Sequence, residues 1–269
     1  MLDLSNNNII LGDNIKILPE IPPKSISLIY IDPPFNTGRT QKRKRTDKGK
    51  ILEESSEISY QDTFIDYENF LMDRIKLAIP SLKDNGSLFV HLDYNEVHYI
   101  KVALDKLLGR DHFMNEIIYS WDYGARNKKK WSCKHNTILW YAINPKDYIF
   151  NFEEIDRIPY KAPGLIRNTA KDAEEKIKRG KTPTTVWELG IVHTMSKESQ
   201  KYPTQKPLNL LNRIIKVHSN PDDVILDFFA GSGSTIVSAA MLGRKYLGID
   251  ISSSAIEVIK KRILELDIP

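Results

Sequence analysis

Apolar positions along this chain follow two periods that alternate at both of its ends and fade in its middle. Asn8-Ile9-Ile10-Leu11 reads as a short strand stopped by Gly12-Asp13. Ser25-Ile26-Ser27-Leu28-Ile29-Tyr30-Ile31 reads as a longer, β-branched one ending at Asp32-Pro33-Pro34. Between 67 and 79, Phe70, Leu71, Arg74, Ile75, Ala78 and Ile79 recur at helical spacing. A turn at Asp84-Asn85-Gly86 leads into a strand over 87–92, and an amphipathic helix over 96–108 is closed by Gly109. Strands are expected at 116–121 and 137–142. From about 145 to 200 the pattern dissolves into short polar, basic stretches broken by Pro159, Pro163 and Pro183. Helix, strand, helix, strand and helix then follow at 208–217, 224–228, 234–242, 245–249 and 254–266. Strands joined by helices predict an α/β fold with a doubly wound, mostly parallel sheet. The expected division is 1–144, an inserted irregular region at 145–200, and 201–269.

Composition narrows the class. With 269 residues, 41% of them hydrophobic and 28% charged, the chain can bury a substantial core without covalent staples. Its one cysteine, Cys133, excludes an intrachain disulfide and a cysteine metal cluster, and fits a reducing cytoplasm. The N-terminus lacks the basic start and apolar core of a signal peptide, and no apolar run reaches membrane-spanning length, so a cytoplasmic protein is expected. The six histidines show no metal-ligand spacing, and His91 and His98 read as flanking a helix or touching backbone, so no metal is expected.

The net charge of +4 says little, but its distribution says more. Residues 38–50 hold Arg39, Lys42, Arg43, Lys44, Arg45, Lys48 and Lys50 against Asp47 alone. A second group is Arg126, Lys128, Lys129, Lys130 and Lys134, and a third, between 161 and 206, includes Lys178, Arg179 and Lys181. Positive charge gathered in loop-like segments suits contact with phosphates; the plainer alternative for any one cluster is a solvated loop.

Two motifs carry chemistry. In Asp227-Phe228-Phe229-Ala230-Gly231-Ser232-Gly233-Ser234-Thr235, a strand turns into a helix through two glycines, where open α/β sheets bind ligands. No Gly-Lys-Ser/Thr follows, so it is not a P-loop, and Ile236 takes the third glycine position of a dinucleotide fingerprint. Asp250 ends the next strand, 23 residues after Asp227, where a carboxylate can accept ribose hydroxyls; the order of strand, glycine turn, helix, strand and acid favours that use, which is compatible with capping the helix that follows. In Asp32-Pro33-Pro34-Phe35, tandem prolines of fixed φ can hold the Asp32 carboxylate and the Pro33 carbonyl outward as acceptors. Phe35 can stack on a flat ring. Two acceptors and an aromatic platform suit the exocyclic amine of a nucleobase, whose lone pair is delocalised until its N–H groups are held. The bland reading is a strand ending in a rigid turn.

Together, Asp32-Pro33-Pro34-Phe35 and the 228–234 turn resemble the β class of DNA amino-methyltransferases, which use S-adenosylmethionine. The likeness extends through Tyr60-Gln61-Asp62, the 86–93 and 134–139 segments and Thr204-Gln205-Lys206-Pro207, with the catalytic motif ahead of the cofactor motif. That circularly permuted order implies a methyltransferase sheet. Its catalytic half would be 1–144, its target-recognition insertion 145–200 and its cofactor half 201–269. The resemblance implies that Asp32, Pro33, Pro34 and Phe35 hold and stack the target base, with Asp32 also facing the cofactor. It further implies S-adenosylmethionine contacts from Asp13, Lys206, Pro207, Asp227, Phe229, Ala230, Gly231, Ser232, Gly233, Ser234, Thr235 and Asp250. Asp in the first motif position is typical of adenine N6 enzymes. Sequence-specific methylation of duplex DNA by base flipping is therefore the expected activity, within restriction-modification. A homodimer and a companion restriction endonuclease come with the resemblance alone. Cytosine N4 or RNA adenine methylation, a non-catalytic recognition subunit with a vestigial cofactor fold, and a nicotinamide oxidoreductase are the alternatives.

Overall fold

The computed structural model describes residues 1–36, 64–162, 173–192, 196, 198–200, 202 and 204–266, together with the backbone of four short strands between 41 and 60. The first part of the chain runs β1 (Asn8–Leu11), α1 (Asn14–Ile17), β2 (Ile26–Ile31), β3 (Gln41–Arg43), β4 (Thr46–Asp47), β5 (Lys50–Ile51) and β6 (Ile58–Tyr60). It continues with α2 (Tyr67–Ala78), β7 (Leu82–Leu92), α3 (Val97–Leu108), β8 (Phe113–Ser120) and β9 (His135–Ala142). The remainder is α4 (Ala173–Arg179), β10 (Val186–Glu188), α5 (Leu208–His218), β11 (Val224–Asp227), α6 (Ser234–Met241), β12 (Lys245–Asp250) and α7 (Ser253–Leu264).

Eight strands form one sheet in the order β1-β12-β11-β2-β7-β9-β8-β10. Pairing is parallel from β1 to β7 and again between β8 and β10; the two ladders made by β9 are antiparallel. The four-residue β11 and six-residue β2 at the centre are buried along their whole length, which is why they read as unbroken apolar runs. Side chains of β2 alternate between two cores. Ile29 and Ile31 pack with α2 and α3 on one face, while Leu28 and Tyr30 pack with α5, α6 and α7 on the other. Leu71 and Ile75 of α2 are fully buried, each contributing roughly 1.5–3 kcal/mol over exposure. Among the described residues no helix is long and apolar enough to cross a membrane.

Two expectations change. Asp84-Asn85-Gly86 is not a free turn before a strand: β7 runs through it, and the register shifts from Ile26↔Leu82 to Leu28↔Ser87. Two steps on β2 face five on β7, so the extra residues form an irregularity in the ladder. A Cβ on Gly86 would stand 3.0 Å from the Ser27 carbonyl oxygen, which explains the glycine. The 145–200 stretch is also less irregular than its sequence suggests, because β10 joins the main sheet beside β8 and α4 precedes it. Three residues of strand are too few for a periodicity to register.

Candidate active site

The chain order places four strand ends side by side. From β11 the path leads through α6 to β12 on one side, and from β2 through α2 to β7 on the other. This reversal is a topological switch point, where a crevice opens beyond the carboxyl ends of the strands. A cavity of about 700 Å³ lies there. Asp13 follows β1, Asp32 follows β2, Asp227 ends β11 and Asp250 ends β12, and all four line it. So do Pro33, Pro34, Phe35, Lys206, Phe229, Ala230, Gly231, Ser232, Ser234 and Thr235. The two ends of the chain thus build one pocket.

The glycine turn is shaped by its backbone. Gly231 and Gly233 take φ of +50° and +76°, which side chains rarely adopt. The Gly231 N–H donates to Asp250 Oδ2 at 2.7 Å, and the Ser252 N–H donates to Oδ1 at 2.8 Å. Asp250 therefore ties the turn to the entry of α7, whose N-cap is Ser252 rather than Asp250 itself. The Phe229 N–H donates to Asp227 Oδ1 at 3.0 Å. Burial, reinforced by the nearby Asp32 and Asp250 carboxylates, pushes Asp227 up to about 7 against the Thr235 hydroxyl and this N–H. Ser234 donates its hydroxyl to the Lys206 carbonyl at 2.7 Å, locking the start of α5 against the turn. Gly233 and Pro207 stand behind the wall: Gly233 packs on Ile259, and Pro207 is the N-cap of α5.

At the proline motif, the Lys206 ammonium pairs with Asp32 Oδ2 and sits 5.0 Å from the centre of the Phe35 ring. Asp32 Oδ1 is buried without a hydrogen-bond partner. Burial raises the Asp32 carboxyl despite Lys206. The other neighbour of Phe35 is His91, stacked at 6.0 Å between centroids. His91, which the sequence reads as flanking a helix or touching backbone, is fully buried in β7 among side chains, with Tyr30 Oη 2.7 Å from Nδ1 and Asn136 Nδ2 3.0 Å from Nε2. Burial and the Lys206 charge hold it neutral. Strand alternation puts it there, since residue 91 shares a face with Phe89 in the ladder with β9.

Sequence reasoning missed Arg74 and Asn14. Arg74 lies on the apolar stripe of α2; its Nε donates to Asn14 Oδ1 at 2.6 Å, and its guanidinium lies 3.5 Å from Asp13 and 4.0 Å from the Phe70 ring. Asn14 donates in turn to the Phe228 carbonyl at 2.7 Å. A cation at a core position of a helix repeat was the available signal. Of the basic groups, Arg126, Lys128 and Lys130 are exposed on the β8–β9 loop, and Lys178 and Arg179 are exposed on α4. Lys181 pairs by backbone with Ile158; none of these six lines the cavity. Arg39, Lys44 and Arg45 lie outside the described residues, and only the backbone of Lys42 and Arg43 is described. Among the described residues no group of three His, Cys, Asp or Glu side chains is placed to hold a metal.

Comparison with known proteins gives the family. A family model described as DNA methylase matches residues 26–261. DNA adenine methyltransferase YhdJ of Escherichia coli (strain K12) is 32% identical over 262 residues, 97% of this chain and 82% of that protein. Type II methyltransferase M.HpaI of Haemophilus parainfluenzae is 30% identical over 258 residues, 96% of this chain and 74% of that one. The fold matches PvuII DNA methyltransferase (cytosine-N4-specific) with a TM-score of 0.69 at 16% identity, covering 99% and 92% of the two chains. It matches the M1.HpyAVI-SAM complex with a TM-score of 0.64 at 21% identity, covering 95% and 98%. This chain belongs to the DNA methylase family.

Proposed function

We propose that this protein transfers a methyl group from S-adenosylmethionine to N6 of adenine at specific sites in duplex DNA. The observation that carries this reading is Asp32, whose Oδ1 is buried without a hydrogen-bond partner and which lines one cavity together with Phe35 and the glycine turn. The pocket's chemistry fits the cofactor. Four carboxylates (Asp13, Asp32, Asp227 and Asp250) suit a molecule carrying two positive groups, ribose hydroxyls and an adenine amine. Asp250 would accept from the ribose, Asp13 would accept from the adenine amine, and the 227–235 turn with Lys206 would surround the methionine end. When bound, S-adenosylmethionine supplies an electrophilic methyl on a sulfonium.

The protein's own residues do the rest. The target adenine leaves its stack at a cost of a few kcal/mol. Phe35, backed by His91, offers a ring to stack on, which offsets roughly 1–3 kcal/mol. Asp32 Oδ1 and the Pro33 carbonyl accept the two amine N–H groups and free the nitrogen lone pair for attack. The nitrogen would take the methyl as its bond to the sulfonium sulfur breaks, leaving a neutral thioether, and would release one N–H proton to solvent. Orientation supplies most of the acceleration.

The 145–200 region, with α4 and β10, would carry target recognition together with the basic loops; Lys178, Arg179 and Lys181 lie within it. A cytoplasmic setting follows from a genomic substrate. M.HpaI and M.HinfI are named type II methyltransferases, which supports a restriction-modification setting and a companion endonuclease. A homodimer rests on the family resemblance, and sedimentation tests it.

The direct test uses labelled S-adenosylmethionine and DNA from a methylation-free host, digested to nucleosides. N6-methyladenine is expected, whereas N4-methylcytosine would reassign the target base. Asp32→Ala should lower turnover by at least ~10²-fold while S-adenosylmethionine still binds. Normal turnover in that variant would remove Asp32 from the chemistry.

A further inference from the structure

The loop between β8 and β9, residues 121–134, projects from the same edge of the sheet as the active site. Its base is continuous with that site: Ser120 pairs with His135, and the next residue, Asn136, touches the His91 on which Phe35 stacks. The loop is built rather than loose. Asn127 Oδ1 accepts from the Lys129 and Lys130 N–H groups at 2.8 and 3.2 Å, and the Asn127 N–H donates to Ser132 Oγ at 2.6 Å. Arg126 pairs with Asp122, and Lys134 donates to the Tyr123 carbonyl at 2.8 Å.

These bonds turn the tip outward as Lys128-Lys129-Lys130-Trp131. All three lysines are exposed, and the Trp131 ring is 98% exposed. Between this tip and Tyr94, which follows β7, lies a hollow of about 820 Å³ also lined by Arg126, Lys130, Lys134 and His135. A fully solvated indole costs hydration free energy that a smaller polar residue would avoid. Three adjacent ammonium groups make the same tip repel other cationic surfaces and attract polyanions. A polyanion that also offers flat apolar faces answers both features. Nucleic acid has both; an acidic peptide or an anionic sugar polymer lacks the stacked rings.

We infer that Trp131 stacks on a base of duplex DNA beside the target nucleotide while Lys128, Lys129 and Lys130 hold the adjoining phosphates. Trp131 is then a positioning residue that holds the duplex open next to the pocket, as apolar wedges do at unstacked steps. The inference rests on the DNA reading above and adds to it a contact from a segment outside the cofactor cavity.

Tryptophan fluorescence provides the test. Of the four tryptophans, Trp140 and Trp187 are buried and Trp121 is half-buried, so an exposed-ring signal is dominated by Trp131. A 30-base-pair mixed-sequence duplex should quench it, and heparin, which carries charge without bases, should not. Trp131→Ala should remove that quenching and weaken duplex binding on the order of tenfold with an unchanged salt slope. Trp131→Phe should restore most of the affinity. Replacing Lys128, Lys129 and Lys130 by alanine should instead flatten the log–log salt dependence by about 2–3. Binding within twofold of wild type in Trp131→Ala, or equal quenching by heparin, overturns the inference. A wild-type chain that neither binds the duplex nor methylates DNA overturns the DNA reading itself, so the two failures are distinguishable.

Discussion

At the scale of single residues, the site is a cluster of carboxylates whose burial conflicts with their charge. Asp227 illustrates the conflict, since burial lifts it from 3.8 to about 7. Below pH 3.8 folded and unfolded chains both hold the proton and its contribution to stability is complete. Between there and about pH 7 the native chain keeps a proton that the unfolded chain has lost, so stability falls as pH rises. Asp227→Asn removes this dependence. Relative to wild type, the variant should gain roughly 2–3 kcal/mol between pH 5 and pH 8 in urea unfolding, while binding S-adenosylmethionine poorly. An offset that does not change with pH would mean that Asp227 titrates normally. Asp32, Asp227 and Asp250 were legible from their motifs, because each ends a strand beside a turn of unusual residues. His91 and Arg74 were not, since a polar residue inside an apolar run has no visible partner until the neighbouring elements are packed.

At the scale of elements, the turn between β11 and α6 separates two roles that its glycines share in sequence. Gly231 faces the cavity, and a Cβ there would meet nothing nearer than Tyr202 Cε1 at 3.6 Å. Gly233 backs onto α7, where a Cβ would stand 2.6 Å from Ile259 Cγ1. Both have positive φ, so Gly231→Ala should cost about 1 kcal/mol of strain. Gly233→Ala should cost about 2–4 kcal/mol, because α7 must also shift. Denaturant midpoints of the two variants measure the difference, and equal losses would mean that the α6–α7 packing yields freely. The doublet of glycines was visible in the sequence. Which of them faces the cavity and which meets a helix was decided by α7, whose position no local pattern encodes.

At the scale of the whole molecule, the walls of one cavity come from residues 13–35 and 202–254, with Phe64, Phe70 and Arg74 between them in sequence. Saturation with a non-reactive S-adenosylmethionine analogue should therefore slow amide exchange in both stretches together and leave the 121–134 loop unchanged. Protection confined to the C-terminal stretch would argue against a shared pocket. Sequence by itself determined the strand and helix alternation, the parallel core of the sheet, the two motifs and the order in which they come. All of these are local: period, turn chemistry and fixed φ act over a few residues. Tertiary structure alone decided that the Lys206 ammonium meets Asp32, that His91 lies behind Phe35, that β10 completes the sheet edge and that Asp13 shares a wall with Asp250. Those pairings join residues tens to hundreds of positions apart. They are set by which strand ends the doubly wound topology brings to one edge, a property of the packed sheet as a whole.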